Sequence, residues 1–248
     1  MSTDLVSLKV LIVLRSASDR ELLRRGAGLA SVPAEVFEAD GAAAAEPVLA
    51  KGGIDLVLLC AGLPAAEKTG VSKAARAAKE RPFIIVVGED GDGADVDGRV
   101  SKPVTADEAQ SIVDRCMRTR IPARVLVVDD SATMRGIVRK ILSASKFPLE
   151  IAEADEGVKA LQELRGGGFD IVFLDYNMPG LDGFETLSEL RREHPNVVAV
   201  MMTSLDSETF ADRAQQAGAA FLKKPFFPAD IDAVLYRFYR VDAPPRAA

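Results

Sequence analysis

Short apolar runs alternate with longer amphipathic segments along the whole chain. In the C-terminal half the central apolar runs are rich in β-branched residues and apolar at every position, which is typical of strands buried on both faces of a sheet. The segments between them repeat apolar residues at helical spacing. The predicted strands are 125–129, 150–152, 171–175, 198–203 and 220–222, and the predicted helices are 132–145, 156–164, 183–192, 207–217 and 228–239.

The chain repeats its own pattern at a constant distance. The run 9–14 resembles 124–129, an offset of 115 residues (124 − 9), and the same offset relates 35–40 to 150–155 and 54–59 to 169–174. One offset through three segments indicates two domains of the same fold. A length of 248 residues is sufficient for two domains of about 100–150 residues each.

The order of elements predicts an α/β fold class. Strands that alternate with helices form parallel sheets with right-handed crossovers. We therefore expect two flavodoxin-like, doubly wound, five-stranded parallel sheets with strand order 2-1-3-4-5. Pro122 interrupts the preceding helix and the next strand begins at once, so the predicted domains are 1–120 and 123–241.

The first domain has a shorter connection before its last strand. Gly88 and Lys102 are 14 positions apart (102 − 88), whereas Thr203 and Lys224 are 21 apart (224 − 203). The segment 88–98 is rich in Gly and Asp and poor in helix formers, so we expect an acidic loop in place of the fourth helix. Loss of that helix would uncover an apolar part of the sheet, which suggests an interaction surface and a homodimer through the first domain.

Composition excludes several classes of partner. The net charge is −6 and no Lys/Arg run is present, which argues against nucleic acid. No apolar run reaches the ~18 residues that a membrane span needs, so we expect no membrane contact. Cys60 and Cys116 lack metal-ligand spacing, which is typical of a reduced cytoplasmic protein.

Chemistry-bearing residues follow the predicted strands of the second domain. Asp129 and Asp130 end the first strand, Asp175 ends the third, Thr203 ends the fourth, and Lys224 follows the fifth. Ligands of such sheets bind at the carboxyl ends of the strands, so these side chains should converge. Clustered carboxylates favour Mg²⁺, which prefers oxygen ligands. Asp175 can then act as a nucleophile that forms an aspartyl phosphate, with Lys224 as a mobile positive charge.

Four motifs of the second domain resemble those of a known family. They are Val-Val-Asp-Asp at 127–130, the run 174–183, Met-Thr-Ser at 202–204 and Lys-Pro-Phe at 224–226. Residues 123–241 resemble the receiver domain of two-component response regulators. Within that family, the run 131–135 is most similar to stand-alone chemotaxis-type regulators.

The resemblance implies how phosphorylation would proceed. Asp175 would accept a phosphoryl group from the histidine of a histidine kinase or of a histidine phosphotransfer protein. Asp130 and Asp175 would bind Mg²⁺ directly together with the backbone carbonyl of Asn177, and Asp129 would hold a metal-bound water. Lys224 would pair with the phosphate or with Asp175.

The resemblance also implies a switch. Thr203 would move to hydrogen-bond a phosphoryl oxygen. Phe221 lies three residues before Lys224, at the aromatic switch position, and would turn inward when Thr203 moves.

The first domain has lost most of this chemistry. At the offset of 115 residues, only uncharged or basic residues stand where the second domain has Asp129, Asp130, Asp175 and Thr203: they are Leu14, Arg15, Cys60 and Gly88. Only the Lys-Pro pair persists, at 102–103. We expect a pseudo-receiver that is not phosphorylated in the usual way. One hypothesis places the charge of Arg15 at the vacant metal position; Cys60 is either an inert thiol or a redox-active one.

Three functions stay open at this stage. The leading interpretation is a signalling switch that is not an enzyme beyond its own phosphotransfer and dephosphorylation, with output through contact with a downstream protein partner. The alternatives are a phosphorylation-independent scaffold and a metal-dependent phosphatase. A haloacid-dehalogenase-type phosphatase needs a second acid two residues after the nucleophile, and here that residue is Asn177.

Overall fold

Two compact units make up the chain. A computed structural model describes residues 7–89, 94–205 and 208–244. One unit contains Met1–Ile121 together with Tyr239–Ala248, and the other contains Pro122–Phe238. Each unit contains one five-stranded sheet with flanking helices. Within the described residues, no helix is both long and apolar enough to cross a membrane.

The first unit has the sheet order β2-β1-β3-β4-β5, and its strand pairs are parallel. Its elements are β1 (Leu8–Val13), α1 (Ala17–Gly28), β2 (Ala34–Ala39), α2 (Ala42–Ala50), β3 (Leu56–Cys60), α3 (Ala65–Ala77), β4 (Phe83–Val87), β5 (Gly98–Val100) and α4 (Ala106–Arg118).

The second unit has the sheet order β7-β6-β8-β9-β10, again with parallel pairs. Its elements are β6 (Ala123–Val128), α5 (Ala132–Ser143), β7 (Leu149–Ala154), α6 (Gly157–Arg165), β8 (Ile171–Asp175), α7 (Gly183–Glu193), β9 (Val198–Thr203), α8 (Glu208–Gln216), β10 (Ala220–Lys223) and α9 (Pro228–Tyr239). Numbered within each unit, both sheets have the order 2-1-3-4-5, which confirms the predicted fold class.

Burial explains why β4 is apolar at every position and β8 at every position before its last. All five residues of β8 are buried, including its terminal Asp175, and so are all five residues of β4. Helices α5 and α7 begin at side-chain caps: Ser131 accepts from the Met134 amide, and Asp182 forms a capping box with Glu185. These caps start each helix just beyond the strand ends that carry the polar residues.

The prediction of fewer helices in the first unit is confirmed. Residues 88–89 and 94–97, the described part of the connection between β4 and β5, contain no helix; residues 90–93 of the predicted acidic loop lie outside the described residues. The expected apolar exposure is not found, because Val96 of this connection packs in one apolar cluster with Ile84 and Val86. This part of the sheet is covered, so the homodimer stays a prediction without that support.

Asp242 is held more firmly than the sequence suggested. We expected the residues from Asp242 onward to be frayed. Instead Asp242 pairs antiparallel with Arg99 of β5, and the two backbone N–H···O bonds between them are both 2.9 Å long. Residues 245–248 of the predicted tail lie outside the described residues.

Candidate functional site

The register of the second sheet brings the predicted site residues to one edge. Asp129 directly follows β6, Asp175 is the last residue of β8, Thr203 is the last of β9, and Lys224 directly follows β10. The pairs Val128↔Leu174, Asp175↔Met202 and Lys223↔Thr203 align these strand ends. Parallel strands share the direction of their carboxyl ends, so all four side chains lie at the same end of the sheet.

Three carboxylates meet at this edge. One oxygen from each of Asp129, Asp130 and Asp175 lies within 4.8 Å of the others. Asp129 and Asp175 are 1% and 5% exposed, whereas Asp130 is exposed. Backbone amides hold the two buried groups: Ser131 N donates to Asp129 Oδ1 at 2.9 Å and Asn177 N donates to Asp175 Oδ2 at 3.2 Å.

Lys224 joins the two buried carboxylates. Its Nζ donates to Asp129 Oδ2 at 2.6 Å and to Asp175 Oδ1 at 2.7 Å. Its backbone N–H donates to the Thr203 carbonyl at 2.7 Å, which fixes the base of the side chain. Burial lowers the pKa of Lys224, but the hydrogen bonds to Asp129 and Asp175 outweigh it and the pKa is raised. The ammonium is therefore charged at neutral pH.

The nucleophile candidate has an unusual electrostatic environment. Burial raises the pKa of Asp175; Lys224 opposes this shift, and the neighbouring Asp129 carboxylate adds to it. One ammonium cannot balance three carboxylates, so the cluster keeps net negative charge. An all-oxygen cluster with net negative charge and one exposed member fits a divalent cation such as Mg²⁺.

The predicted switch residues lie on neighbouring strands. Thr203 is buried, and its Oγ1 accepts a 3.1 Å hydrogen bond from the Leu205 amide. Phe221 is half-buried on β10, and its ring centroid is 5.6 Å from that of Phe210. The ring centroid of Phe210 is also 4.9 Å from that of Tyr176, the residue that follows Asp175. This aromatic cluster was not predicted, because nothing in the sequence showed that α8 packs beside β10.

Sequence reasoning also missed Arg135. Its Nη1 donates to the backbone carbonyl of Asp129 at 2.8 Å, and its Nε lies 3.2 Å from Glu153 Oε2. This guanidinium holds the end of β6 from the first turns of α5. Arg20 stands 115 positions earlier (135 − 20), and that repeated arginine was the signal that could have revealed it.

The corresponding edge of the first unit is arranged differently. Cys60 ends β3 and is half-buried. Lys102 is 57% exposed and pairs with Asp19 at 2.6 Å. Arg15 is 61% exposed and pairs with Glu67. The hypothesis that its charge fills the vacant metal position stays a prediction. Long basic side chains find carboxylate partners near the surface more easily than they enter an apolar strand end.

Comparison with known proteins agrees with this geometry. The sequence profile of the response regulator receiver domain matches residues 125–236. Chemotaxis protein CheY-3 of Vibrio cholerae is 35% identical over 119 residues, which are 47% of this chain and 91% of that protein. A protein-glutamate methylesterase/protein-glutamine glutaminase of Rhodospirillum centenum is 37% identical over 107 residues, which are 42% of this chain and 27% of that protein.

One solved structure is similar over nearly the whole chain. It is described as a "probable two-component system response regulator/GGDEF domain protein", and the match covers 94% of this chain and 98% of that one. The TM-score is 0.56 at 24% sequence identity, which supports the fold alone. The sequence matches also support the family, because the match to the 35% identical Vibrio cholerae protein covers 91% of that protein. This chain therefore belongs to the response regulator receiver family of two-component signalling.

Proposed function

We propose that residues 123–241 form a phospho-accepting receiver domain in which Asp175 takes the phosphoryl group, and that residues 1–120 form a degenerate pseudo-receiver. The observation that carries the proposal is the buried pair Asp129 and Asp175, joined by Lys224 beside the exposed Asp130. A carboxylate at the end of a strand, flanked by a fixed ammonium, is suited to in-line attack on phosphorus.

The chemistry follows from the positions of the side chains. An Asp175 oxygen attacks the phosphorus of a phosphohistidine, the new O–P bond forms as the P–N bond breaks, and the imidazole nitrogen keeps the electron pair and takes a proton. Lys224, already bonded to Asp175, can turn its remaining N–H groups toward the phosphoryl oxygens.

A divalent cation completes this charge balance. Asp129, Asp130, Asp175 and the backbone carbonyl of Asn177 are the groups that would hold Mg²⁺. Bound there, Mg²⁺ supplies charge neutralisation for the incoming phosphoryl group. Asp130 is exposed, so the cluster is open to solvent on that side.

The switch needs one local exchange of hydrogen bonds. The Thr203 hydroxyl now accepts from the Leu205 amide and also has a proton to donate. A phosphoryl oxygen on Asp175 offers a charged acceptor, which forms a stronger bond than a neutral one. Movement of Thr203 would vacate space for the half-buried Phe221 ring, and the changed Thr203–Phe221 face would then bind a downstream protein partner.

The proposed phosphodonor is a histidine kinase or a histidine phosphotransfer protein. We expect this chain to catalyse only its own phosphorylation and dephosphorylation at Asp175. The family to which the chain belongs and the name of the Vibrio cholerae relative support a role in signal transduction.

Acetyl phosphate tests the proposal in the full chain. With Mg²⁺, intact-mass spectrometry should show one labile phosphoryl adduct, which EDTA prevents and Asp175→Asn abolishes. Cys60→Ser, at the matching position of the first unit, should keep the adduct. An unmodified natural chain would favour the scaffold function, and steady turnover of phosphate esters would favour the phosphatase.

A further inference from the structure

A groove opens in the first unit between the ends of α2 and α3, with a volume of about 540 Å³. Its apolar lining includes Leu49 and the alanines at positions 50, 74, 77 and 78. Four charged residues also line it: they are Glu46, Lys51, Lys79 and Glu80. Apart from Leu49 these side chains are exposed or half-exposed, so a ligand can reach them from solvent.

The second unit has long charged side chains at the positions of the four alanines. Helices α2 and α6 begin and end 115 positions apart, and the strands before and after α3 begin 115 positions ahead of their counterparts around α7. At this offset the alanines correspond to Arg165, Glu189, Arg192 and Glu193. Arg165 Nε lies 3.0 Å from Glu193 Oε2, and Arg192 Nη2 lies 3.0 Å from Glu193 Oε1. An arginine–glutamate cluster in one unit is therefore an open groove in the other.

The groove also lacks the cations that stand at the helix ends of the second unit. Helix α6 has Arg165 in its last turn, and α7 has Arg192. Helix α2 has no basic residue in its last turn, and Arg76 near the end of α3 is bonded to Asp95 and Asp97. Because the carbonyl end of a helix attracts cations, the two helix ends give the groove partial negative charge.

Glu46 adds a full negative charge between the two helices. A Cβ on Gly70 of α3 would lie 3.4 Å from Glu46 Oε1, so this carboxylate reaches from α2 to α3. The matching residue of the second unit (161 − 46) is the buried Leu161. Glu46 forms no ion pair within the described part of the chain. The exposed Lys51 and Lys79 complete a lining that carries both signs of charge.

From these features we infer that the groove binds an arginine side chain of a partner protein other than this chain. The methylene groups of that arginine would pack on the alanines, and its guanidinium would bond to Glu46 and face the carbonyl ends of the helices. A carboxylate beside the arginine would meet Lys51 or Lys79. The partner thus supplies the arginine–carboxylate pair that the second unit has in its own chain.

N-acetyl-arginine is the probe, because it carries one guanidinium and one carboxylate. In the ¹⁵N-labelled full chain it should shift the amide resonances of Ala50, Ala77 and Ala78 saturably at millimolar concentrations. N-acetyl-citrulline has nearly the same shape without the guanidinium charge, so it should bind about tenfold more weakly. Equal binding of the two compounds would overturn the inference.

Filling the groove tests its place in the fold. Ala50→Arg with Ala78→Glu restores the ion pair of the second unit and should abolish the shift of Ala77. Ala43→Arg with Ala66→Glu adds the same charges at exposed positions outside the groove and should leave binding unchanged. Unchanged amide resonances of β1 and β3 show that each variant is folded, and binding that persists in the filled variant would overturn the inference.

The acceptor of the guanidinium is tested by one neutral substitution. Glu46→Gln should weaken binding of N-acetyl-arginine about tenfold, because it removes a charge-assisted hydrogen bond. Asp107→Asn removes an exposed charge on α4, outside the groove, and should not change binding. Equal losses in the two variants would reduce recognition to net charge and would overturn the inference.

A second copy of this chain is the competing occupant. Sedimentation with and without N-acetyl-arginine separates the two: an oligomeric state that the probe leaves unchanged supports a separate partner. Dimers that the probe dissociates would assign the groove to a second copy and overturn the assignment to a different protein. Phosphorylation at Asp175 is measured on the same samples, and its failure in the natural chain would not affect the arginine titration.

Discussion

The two units hold the ends of their first strands with the same contact. In the first unit Arg20 Nη1 donates to the Leu14 carbonyl at 2.6 Å, and in the second Arg135 Nη1 donates to the Asp129 carbonyl at 2.8 Å. Both bonds are made to a backbone oxygen. They therefore persist although the side chain beyond that oxygen is an apolar leucine in one unit and a site carboxylate in the other.

A second contact repeats at the opposite end of the strands. The Lys9 amide donates to Asp55 at 2.8 Å, and the Arg124 amide donates to Asp170 at 2.9 Å. Each aspartate lies 115 positions from its counterpart (170 − 55). The comparison teaches that the scaffold depends on contacts to the backbone, so the site residues at the strand ends can change without loss of the fold.

The retained lysines provide the strongest test of this difference. Lys224 is 14% exposed and balances two buried carboxylates, whereas Lys102 is 57% exposed and pairs with one aspartate at the surface. In EDTA, Lys224→Met should lower the free energy of unfolding of its unit by about 3 kcal/mol. Lys102→Met should lower it by less than about 1 kcal/mol. Urea unfolding followed by hydrogen exchange of each sheet measures the stability lost in each variant. Equal losses in the two variants would mean that the two lysines have the same role.

Gly88 tests whether the switch hydroxyl can be restored in the first unit. Its φ is +114°, and a Cβ there would lie 3.0 Å from the Cβ of Ala61. Gly88→Thr should therefore destabilise the first unit by about 2 kcal/mol, from backbone strain and crowding. Gly28→Ala is the control, since beyond its own helix and chain neighbours its added Cβ would meet nothing within 4 Å. A Gly88→Thr variant as stable as the natural chain in thermal unfolding would show that the two strand ends are interchangeable.

Magnesium should distinguish the units by binding only one of them. At ten times its Kd, Mg²⁺ should stabilise the second unit by about 1.4 kcal/mol, because it binds the folded carboxylate cluster and not the unfolded chain. The first unit has Leu14 and Cys60 at the matching positions and should not respond. Asp130→Asn removes an exposed ligand at little cost to the fold and should abolish the effect. Hydrogen exchange with and without Mg²⁺ measures it, and equal protection of both sheets would count against a single metal site.

The last helices differ at one half-buried position, where α9 carries a carboxylate and α4 an uncharged amide. Asp232 of α9 and Gln110 of α4 are 122 positions apart (232 − 110), the same distance as the first residues of these helices (228 − 106). Burial raises the pKa of Asp232, and Lys146 opposes this shift. The folded unit then binds a proton more readily than the unfolded chain does, so its stability falls as pH rises through the folded-state pKa.

Removal of that charge should have the smallest effect. Asp232→Asn should stabilise the second unit at neutral pH by about 0.5 kcal/mol. The gain should vanish as pH falls below 3.8, the ordinary pKa of an aspartate, where both states are protonated. Unfolding measured across pH for both proteins checks this, and a gain independent of pH would mean that charge is not the cause.

The periodicity of the sequence and its internal offset were enough to predict both sheets. Apolar runs such as 171–175 and 198–203 match β8 and β9 residue for residue, because a strand buried on both faces leaves no choice of pattern. The same reasoning predicted that the carboxylates would converge, since the ends of parallel strands meet at one edge. It also predicted, from a shortened connection, that the first unit has fewer helices than the second.

Only the tertiary structure decided which groups make contact. The Lys224 bond to Asp129, which was not predicted, joins residues 95 positions apart, and no local pattern encodes such a contact. The covering of the first sheet by Val96 and the pairing of Arg99 with Asp242 depend equally on contacts between separate segments. The sequence by itself determined the strands, their order and the kind of chemistry at their ends, because burial periodicity is local. Partners and satisfied charges were settled by the three-dimensional arrangement, because a side chain can reach several neighbours and packing selects one.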